Sequence, residues 1–260
     1  MTSKIYSLSV IVITKNEADR ITCCLESVKN IADEIIILDS GSTDDTVAIC
    51  KQYTEHVYCT DWPGFGKQKQ RALDKATCDW VLSIDADEAL DKTMQKELST
   101  LLSLSSIKHV AYKLPWGVTI HGKTLKYGRS ARAVLRLFKR EGATFSLDEV
   151  HEKVIPAGEN IGTLKGILLH FTHRDFKHGL DKSAKYAWLG SQKYYRKGKK
   201  SHGLFIALLR SMWVFFHIYV LRLGMLDGSI GFLVAMRYAH GNFNKYAGLW
   251  LLENNRNENI

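Results

Sequence analysis

Three short runs constrain this chain more than anything else in it: Leu8–Thr14 (LSVIVIT), Glu34–Asp39 (EIIILD) and Trp80–Asp85 (WVLSID). Each is almost unbroken in apolar, mostly β-branched residues, and each ends on a polar or acidic one. A strand with one wet face alternates polar and apolar residues. A run without alternation suits a strand covered on both faces, as in a parallel sheet packed between helices. The intervening sequence reads as helix over residues 17–30, as a turn into a helix from 40 onward, and as helix again over about 67–76. A fourth short strand is expected at 56–59. Ser42, Thr43 and Asp44 are candidates to cap the second helix. Strands alternating with helices of these lengths predict a right-handed βαβ arrangement.

After about residue 108 the texture changes. Residues 109–138 read as shorter alternating strands with Gly and Pro breaks, more like a mixed sheet edge than further βαβ units. From Phe176 to about Glu253 the pattern is helical. The expected organisation is a catalytic domain over 1–172, with a first half at about 7–106 and a second at about 107–172, followed by a basic helical region over 173–260. Within that region, 203–221 is almost long enough to span a bilayer. Arg210 near its middle would cost about 2.5–3.5 kcal/mol on insertion scales. A helix lying in the membrane interface, or packed on the protein, is the expectation.

Composition bears on compartment and partners. Hydrophobic content of 45% and charged content of 24% are those of a globular protein. The five cysteines (Cys23, Cys24, Cys50, Cys59, Cys78) include no C-x-x-C pair and read as buried free thiols of a reducing compartment. No signal-peptide pattern opens the chain, so the cytoplasm is expected. The formal charge of +9 is uneven: residues 174–200 hold nine Lys and Arg against two Asp. Such a run is a solvated helix face, a nucleic-acid contact or a contact to an anionic membrane.

Acidic residues punctuate the strand ends: Asp39, Asp61, and the cluster Asp85-Ala86-Asp87-Glu88. In open α/β sheets ligands bind beyond the carboxyl ends of the strands, so these carboxylates are expected to share one crevice. Asp85 and Asp87 can hold a divalent cation with positions left open for phosphate oxygens. Their bland alternative is a pair of N-caps for a helix running to Leu102. Lys67, Lys69 and Arg71 make the next helix basic, which is either a flank or a source of charge for an anionic ligand.

Thr14-Lys-Asn-Glu17, Ile37-Leu-Asp39-Ser-Gly-Ser-Thr-Asp44 and Ile84-Asp-Ala-Asp-Glu88, in this order at successive strand ends, resemble the inverting family 2 glycosyltransferases of the GT-A fold over roughly 7–155. That resemblance implies an α/β fold of GT-A type and a nucleotide-sugar donor. It also implies a divalent cation, Mg or Mn. Asp39 would accept from the nucleobase, with Thr14 and Glu17 in the same pocket. Asp85 would approach ribose or metal, Asp87 would ligate the metal, and Lys69 would face the diphosphate. Where the family often has a second aspartate, this chain has Ser40. Inverting transfer needs a carboxylate base opposite the leaving group. Asp148-Glu149 resembles the family's usual acidic pair, and His151-Glu152 the His-Glu pair of one branch, so Asp148, Glu149 and Glu152 all stay open, with Glu152 placed first. His170 is either a further metal ligand or a hydrogen-bonded core histidine.

The segments 62–66 (WPGFG), 168–175 (LLHFTHRD), 185–186 and 219–228 (YVLRLGMLDG) are similar to bacterial glucosyltransferases that extend the lipopolysaccharide inner core. This implies a UDP-glucose donor, a lipid-linked anionic heptose acceptor, and a place on the cytoplasmic face of the inner membrane. Another family 2 transferase acting on a different membrane-linked glycan is the alternative. A sugar-phosphate nucleotidyltransferase should carry a Gly-rich loop after the first strand, and 14–18 holds no glycine. A non-catalytic binder of anionic surfaces leaves the acidic cluster unexplained, and no nucleic-acid partner is expected.

Overall fold

The computed structural model describes residues 4–120, 122–128, 132–146, 152–171 and 175–254. Its first part alternates as the sequence predicts: β1 (Leu8–Thr14), α1 (Ile21–Val28), β2 (Glu34–Asp39), α2 (Thr46–Cys50), β3 (Val57–Cys59), α3 (Phe65–Leu73) and β4 (Trp80–Asp85), then β5 (Glu88–Leu90) and α4 (Lys92–Leu102). Mixed strands follow: β6 (Ala111–Ile120), β7 (Lys123–Thr124), β8 (Arg132–Lys139), β9 (Thr144–Phe145), β10 (Val154–Ile155), β11 (Ile161–Thr163) and β12 (Leu168–Phe171). The rest is helical: α5 (Phe176–Arg196), α6 (Leu204–Phe216) continued by a π-helical turn at His217–Leu221, a 3-10 turn at Gly224–Asp227, and α7 (Gly228–Asn254).

The main sheet runs β3-β2-β1-β4-β8-β6-β12-β5, with β1 to β4 all parallel and β8 antiparallel to both its neighbours. This is an α/β fold with a mainly parallel sheet and a mixed edge. All seven residues of β1 are buried. Leu8, Val10 and Val12 enter one apolar cluster and Ile11 and Ile13 the other, which is why the run shows no alternation. Register does the positioning. Thr14 pairs with Asp39 and Ile13 with Asp85, so three polar strand ends lie along one edge.

Three local expectations change. Helix α1 starts at Ile21, not Glu17. The preceding amides are taken by side chains of the β2–α2 loop, Glu17 N donating to Thr46 Oγ1 and Ala18 N to Asp44. Asn16 makes this turn by adopting φ +54°, a left-handed conformation that asparagine tolerates. At α2 the N-cap position is Asp45, without a side-chain bond, while Asp44 accepts from Thr46 N. Asp85 and Asp87 cap nothing: Asp91 caps α4 by accepting from Met94 N, and the short strand β5 intervenes. The cysteines also divide. Cys24 and Cys50 are buried, but Cys23 and Cys59 are exposed and Cys78 is intermediate. Successive helical residues point about 100° apart, so Cys23 and Cys24 cannot both face the core.

The chain separates into two compact units: Met1–Gly117 with Arg132–His170, and Val118–Ala131 with Phe171–Ile260. The division is not the sequential one expected at 172, because the excursion after β6 belongs to the helical unit. There Asp227, nearly fully buried, accepts the Lys126 and Tyr127 amides, and Lys123 Nζ donates to its carbonyl. Ile120, Leu125 and Val234 form a small core beside them. The helices of this unit meet at small residues. A Cβ on Gly248 would sit 2.6 Å from Ser191 Oγ, and Ser211 Oγ donates to the Ala239 carbonyl.

Candidate active site

Beyond the ends of β1 and β4 lies a cleft of about 490 Å³, walled by Thr14, Lys15, Glu17, Trp62, Phe65, Asp85, Asp87 and His170. Four elements build it. β1 and β4 deliver Thr14 and Asp85 through their register. β12 delivers His170, which pairs with Glu88 across the β12–β5 ladder. The loop before α3 supplies Trp62 and Phe65, packed edge to face at 4.7 Å; Gly64 between them sits at φ +104°, which a side chain would strain.

The acidic cluster divides its labour. Asp85 is gripped from two sides, with Lys69 Nζ 2.8 Å from Oδ1 and Arg136 Nη2 2.5 Å from Oδ2. Burial by itself would raise the Asp85 carboxyl, but Arg136 and then Lys69 more than offset it and hold it well below the usual carboxylate range. Glu88 is the buried brace. It accepts from the Asp85 amide, from Trp116 Nε1 at 3.0 Å and from Arg136 at 2.9 Å. Burial, with the Asp85 charge adding to it, pushes the Glu88 carboxyl up, although Arg136 works against the rise. Arg136, desolvated but flanked by two carboxylates, is held above the ordinary arginine value.

Asp87 faces the cleft in another setting, 3.3 Å from His170 Nε2 and 3.8 Å from Arg20 Nη1. His170 stacks on Trp116 at 4.5 Å, and the Arg132 guanidinium lies 4.2 Å over the indole of Trp116. The stack and the Trp116–Glu88 bond fix the imidazole plane, as an oriented ligand requires. Among the described residues no three His, Cys, Asp or Glu side chains converge as a ready metal cage. Asp87 and His170 nonetheless fit a hard divalent cation whose remaining positions go to diphosphate oxygens and water, the usual manner of holding Mg²⁺. Thr14 Oγ1, buried against the cleft with no protein hydrogen-bond partner, is a further polar atom suited to a ligand there.

The predicted residues do not all reach the cleft wall. Thr14, Glu17, Asp85, Asp87 and His170 do. Lys69 is only 3% exposed and lies behind Asp85, bridging it to Glu152 Oε1 at 2.7 Å. Its charge is therefore already matched by two carboxylates, while Lys15, exposed on the wall, has no carboxylate partner among the described residues. Glu152 thereby joins the Asp85 network. Asp148, Glu149 and His151 lie outside the described residues. Asp39 is buried and holds its own turn, accepting from Gly41 N, Ser42 N and Ser42 Oγ. Ser40 accepts from buried Gln68. Asp61 leaves the site altogether, drawn to the surface by Arg71 at 2.6 Å.

The model of the family described as glycosyl transferase family 2 matches residues 9–103, which contain β1 from its second residue, β2 to β4 and both cleft aspartates. An uncharacterized glycosyltransferase of Rickettsia felis is 31% identical over 93% of this chain and 89% of its own length. The chain belongs to glycosyl transferase family 2. A lipopolysaccharide core biosynthesis glycosyltransferase, LpsC, of Rhizobium meliloti is 33% identical over 88% of this chain and 86% of its own length. Among solved structures, S. aureus TarS 1-349 in complex with UDP aligns over 96% of this chain and 92% of that one, at 14% identity and a TM-score of 0.46.

In this family 2 enzyme the fold also brings to the site residues that reading the sequence did not single out. Arg136 on β8, Trp116 on β6 and Arg20 before α1 all touch the acidic cluster. Arg136 and Trp116 arrive through strand pairings 48 and 28 residues away from Glu88, which no local spacing announces. Arg20 carried a local signal, as the i+3 partner of Glu17 within a named motif.

Proposed function

We propose that the enzyme transfers glucose from UDP-glucose, with inversion and with a divalent cation, onto a heptose of a lipid-linked lipopolysaccharide core at the cytoplasmic face of a bacterial inner membrane. The observation carrying the donor half of this reading is the cleft itself. Asp87 and His170 stand together beside an unpartnered Thr14 hydroxyl, beyond the carboxyl ends of parallel strands. A bound cation would neutralise charge on the departing diphosphate. Thr14 and Glu17 line the nucleotide side, Lys15 meets phosphate, and the rings of Trp62 and Phe65 offer flat apolar faces to base or sugar. Asp39 is the proposed acceptor from the nucleobase, through the Oδ1 lone pair that its turn, with one bond to Oδ1 and two to Oδ2, does not use.

Glu152 is the proposed base, taking the proton of the attacking hydroxyl as the new glycosidic bond forms and the bond to the diphosphate breaks. Lys69 orients it and ties its position to Asp85. The acceptor half is supported by the similarity to LpsC and by the helical unit. The segment Leu204–Leu221 is long and apolar enough to cross a membrane, yet only 17% of it is buried. Its exposed residues Phe205, Leu208, Leu209, Met212, Trp213 and Phe216 recur at helical spacing and form one apolar stripe. Arg210 leaves that stripe, its guanidinium 4.3 Å over Tyr246 on α7. A stripe with flanking lysines suits a helix lying in an anionic interface.

Release of UDP from a panel of nucleotide sugars, with and without EDTA, tests the donor and metal together. UDP-glucose should be preferred and chelation should stop turnover; another preferred sugar, or indifference to EDTA, overturns the corresponding part. Glu152→Gln should lower kcat about 10²–10⁴-fold with UDP binding intact. Unchanged kcat there, with collapse in Asp148→Asn, moves the base to Asp148.

A further inference from the structure

The helical unit contains a second cavity, of about 450 Å³, formed by α5, α6 and α7. Helix α5 contributes Lys182, Ser183 and Tyr186 to its wall, and α7 contributes Arg237, Asn242 and Lys245. The lining holds three cations and no acid. The described residues of this unit contain four carboxylates, each engaged elsewhere. Asp175 accepts the His178 amide, Asp181 pairs with Lys177, Asp227 accepts the Lys126 and Tyr127 amides, and Glu253 accepts from Ser201. Lys182, Arg237 and Lys245 therefore face one volume without a carboxylate partner among the described residues.

Their surroundings make that costly. Arg237 is partly buried, and burial pulls its pKa below the ordinary arginine value although its hydrogen bond to the Tyr238 side chain works against the fall; Tyr238 is a neutral partner that leaves the charge unmatched. Lys245 lies 4.8 and 4.6 Å over the rings of Tyr194 and Tyr246 and hydrogen-bonds the Tyr194 hydroxyl, contacts that bring no full negative charge to it. Asn242 Oδ1 is buried and has no hydrogen-bond partner. Like charges gathered in partly desolvated surroundings are unfavourable unless an anion joins them. A phosphate monoester brings between one and two negative charges and enough acceptor oxygens for all three cations. The Asn242 amide and the Ser183 and Tyr186 hydroxyls match the hydroxyls of a sugar bearing that phosphate.

We infer that this cavity is a binding site for a phosphate monoester carried on a sugar or a lipid headgroup. The site is distinct from the transfer cleft, since every lining residue belongs to the helical unit, and it stands whether or not UDP-glucose is the donor. The test uses the intact protein. Calorimetry with glucose 6-phosphate, inorganic phosphate and glucose is paired with flotation on vesicles containing phosphatidic acid, a monoester, or phosphatidylglycerol, a diester, at equal surface charge. Glucose 6-phosphate should bind and glucose should not. Lys182→Gln and Arg237→Gln should each weaken binding at least tenfold. Lys177→Gln, an equal loss of charge on the exposed side of α5, should leave it unchanged. A preference for phosphatidic acid that disappears in the same variants assigns the phosphate to a lipid headgroup; soluble binding without that preference assigns it to a free phosphosugar. Absence of binding to every phosphate probe overturns the inference, as does equal weakening by Lys177→Gln, which would mean diffuse surface charge. Helix content by circular dichroism, together with a melting curve, measured in each variant, reports whether the helical unit is folded. Should Arg237→Gln fail that check, Lys182→Gln and Tyr186→Phe decide the matter.

Discussion

The two units of this transferase are built on opposite plans. The unit holding the sheet has 19 Lys and Arg against 22 Asp and Glu, a net charge of −3; the helical unit has 17 against five, a net charge of +12. Apolar surface divides the same way. Among the described residues, large exposed hydrophobic side chains number five in the sheet unit and 21 in the helical unit. The first unit buries its apolar residues and spends its charges on one another, in the Lys69–Asp85–Arg136–Glu88 network. The second leaves both cations and apolar stripes facing outward. A protein surface that is apolar and cationic at once costs solubility unless something anionic and apolar covers it. Under the proposed function this difference is a division of labour: chemistry on a small polar ligand in one unit, residence at a surface in the other.

The sharpest way to break that division is to disable one unit and read both activities. Asp87→Ala removes the carboxylate that stands with His170 in the cleft. Turnover should fall about 10³-fold or more, measured by UDP release, with unchanged flotation on anionic vesicles. Full activity in Asp87→Ala would sink the proposed metal role. Joint loss of flotation would show that the two units do not act separately.

The reverse experiment targets the stripe on α6. Phe205 is 70% exposed and Trp213 60%, so neither holds the fold together. Burying a large apolar side chain is worth about 1.5–3 kcal/mol. Phe205→Ser and Trp213→Ser should therefore each weaken vesicle partition about tenfold or more, leaving UDP affinity as it was. Release of the wild type by high salt sharpens the comparison, because it separates the cationic share from the apolar one. Flotation indifferent to both substitutions would mean that another surface meets the lipid.

How much of this was legible in the sequence follows from how far apart the partners lie. The strands β1, β2 and β4 read directly, because burial on both faces leaves an unbroken apolar run whatever surrounds it. Asp85 was legible as the polar end of such a run, with Asp87 two residues on, while Thr14 and Glu17 were singled out through the family resemblance of the motif they share. Arg136 and Trp116 were not, since only tertiary pairing of β8 and β6 brings them to Glu88. Asp61 misled because a strand-end acid can be claimed by a neighbouring helix, as Arg71 claims it. Burial of Lys69 was equally hidden, since a basic helix written in sequence gives no hint which lysine turns inward. In the helical unit the charge run was visible. The cavity was not, because it joins α5 to residues some 50 positions later on α7.

The smallest expected effect concerns acid stability and belongs to the sheet unit alone. Arg136 and Lys69 hold the folded Asp85 carboxyl below its ordinary value despite burial. Between that depressed value and the unfolded pKa of about 3.9, the unfolded chain binds the proton and the folded one does not. Asp85 therefore stabilises fully above about pH 4–5, and its contribution is lost as pH falls through the acid range toward the folded value. Glu88 works with the opposite sign. Its carboxyl is raised in the fold, so its contribution is largest at low pH and declines as pH rises. Asp85→Asn keeps the shape, removes the first effect, and relieves the part of the second that Asp85 causes. Melting curves of wild type and Asp85→Asn should thus differ most near neutral pH, by a few degrees at about 2–4 °C per kcal/mol. The gap should begin to narrow below about pH 4 and keep narrowing as pH falls toward the depressed folded value. A gap that is constant across the acid range would mean that Asp85 contributes by packing, and that its ion pairs with Lys69 and Arg136 position it without stabilising the fold.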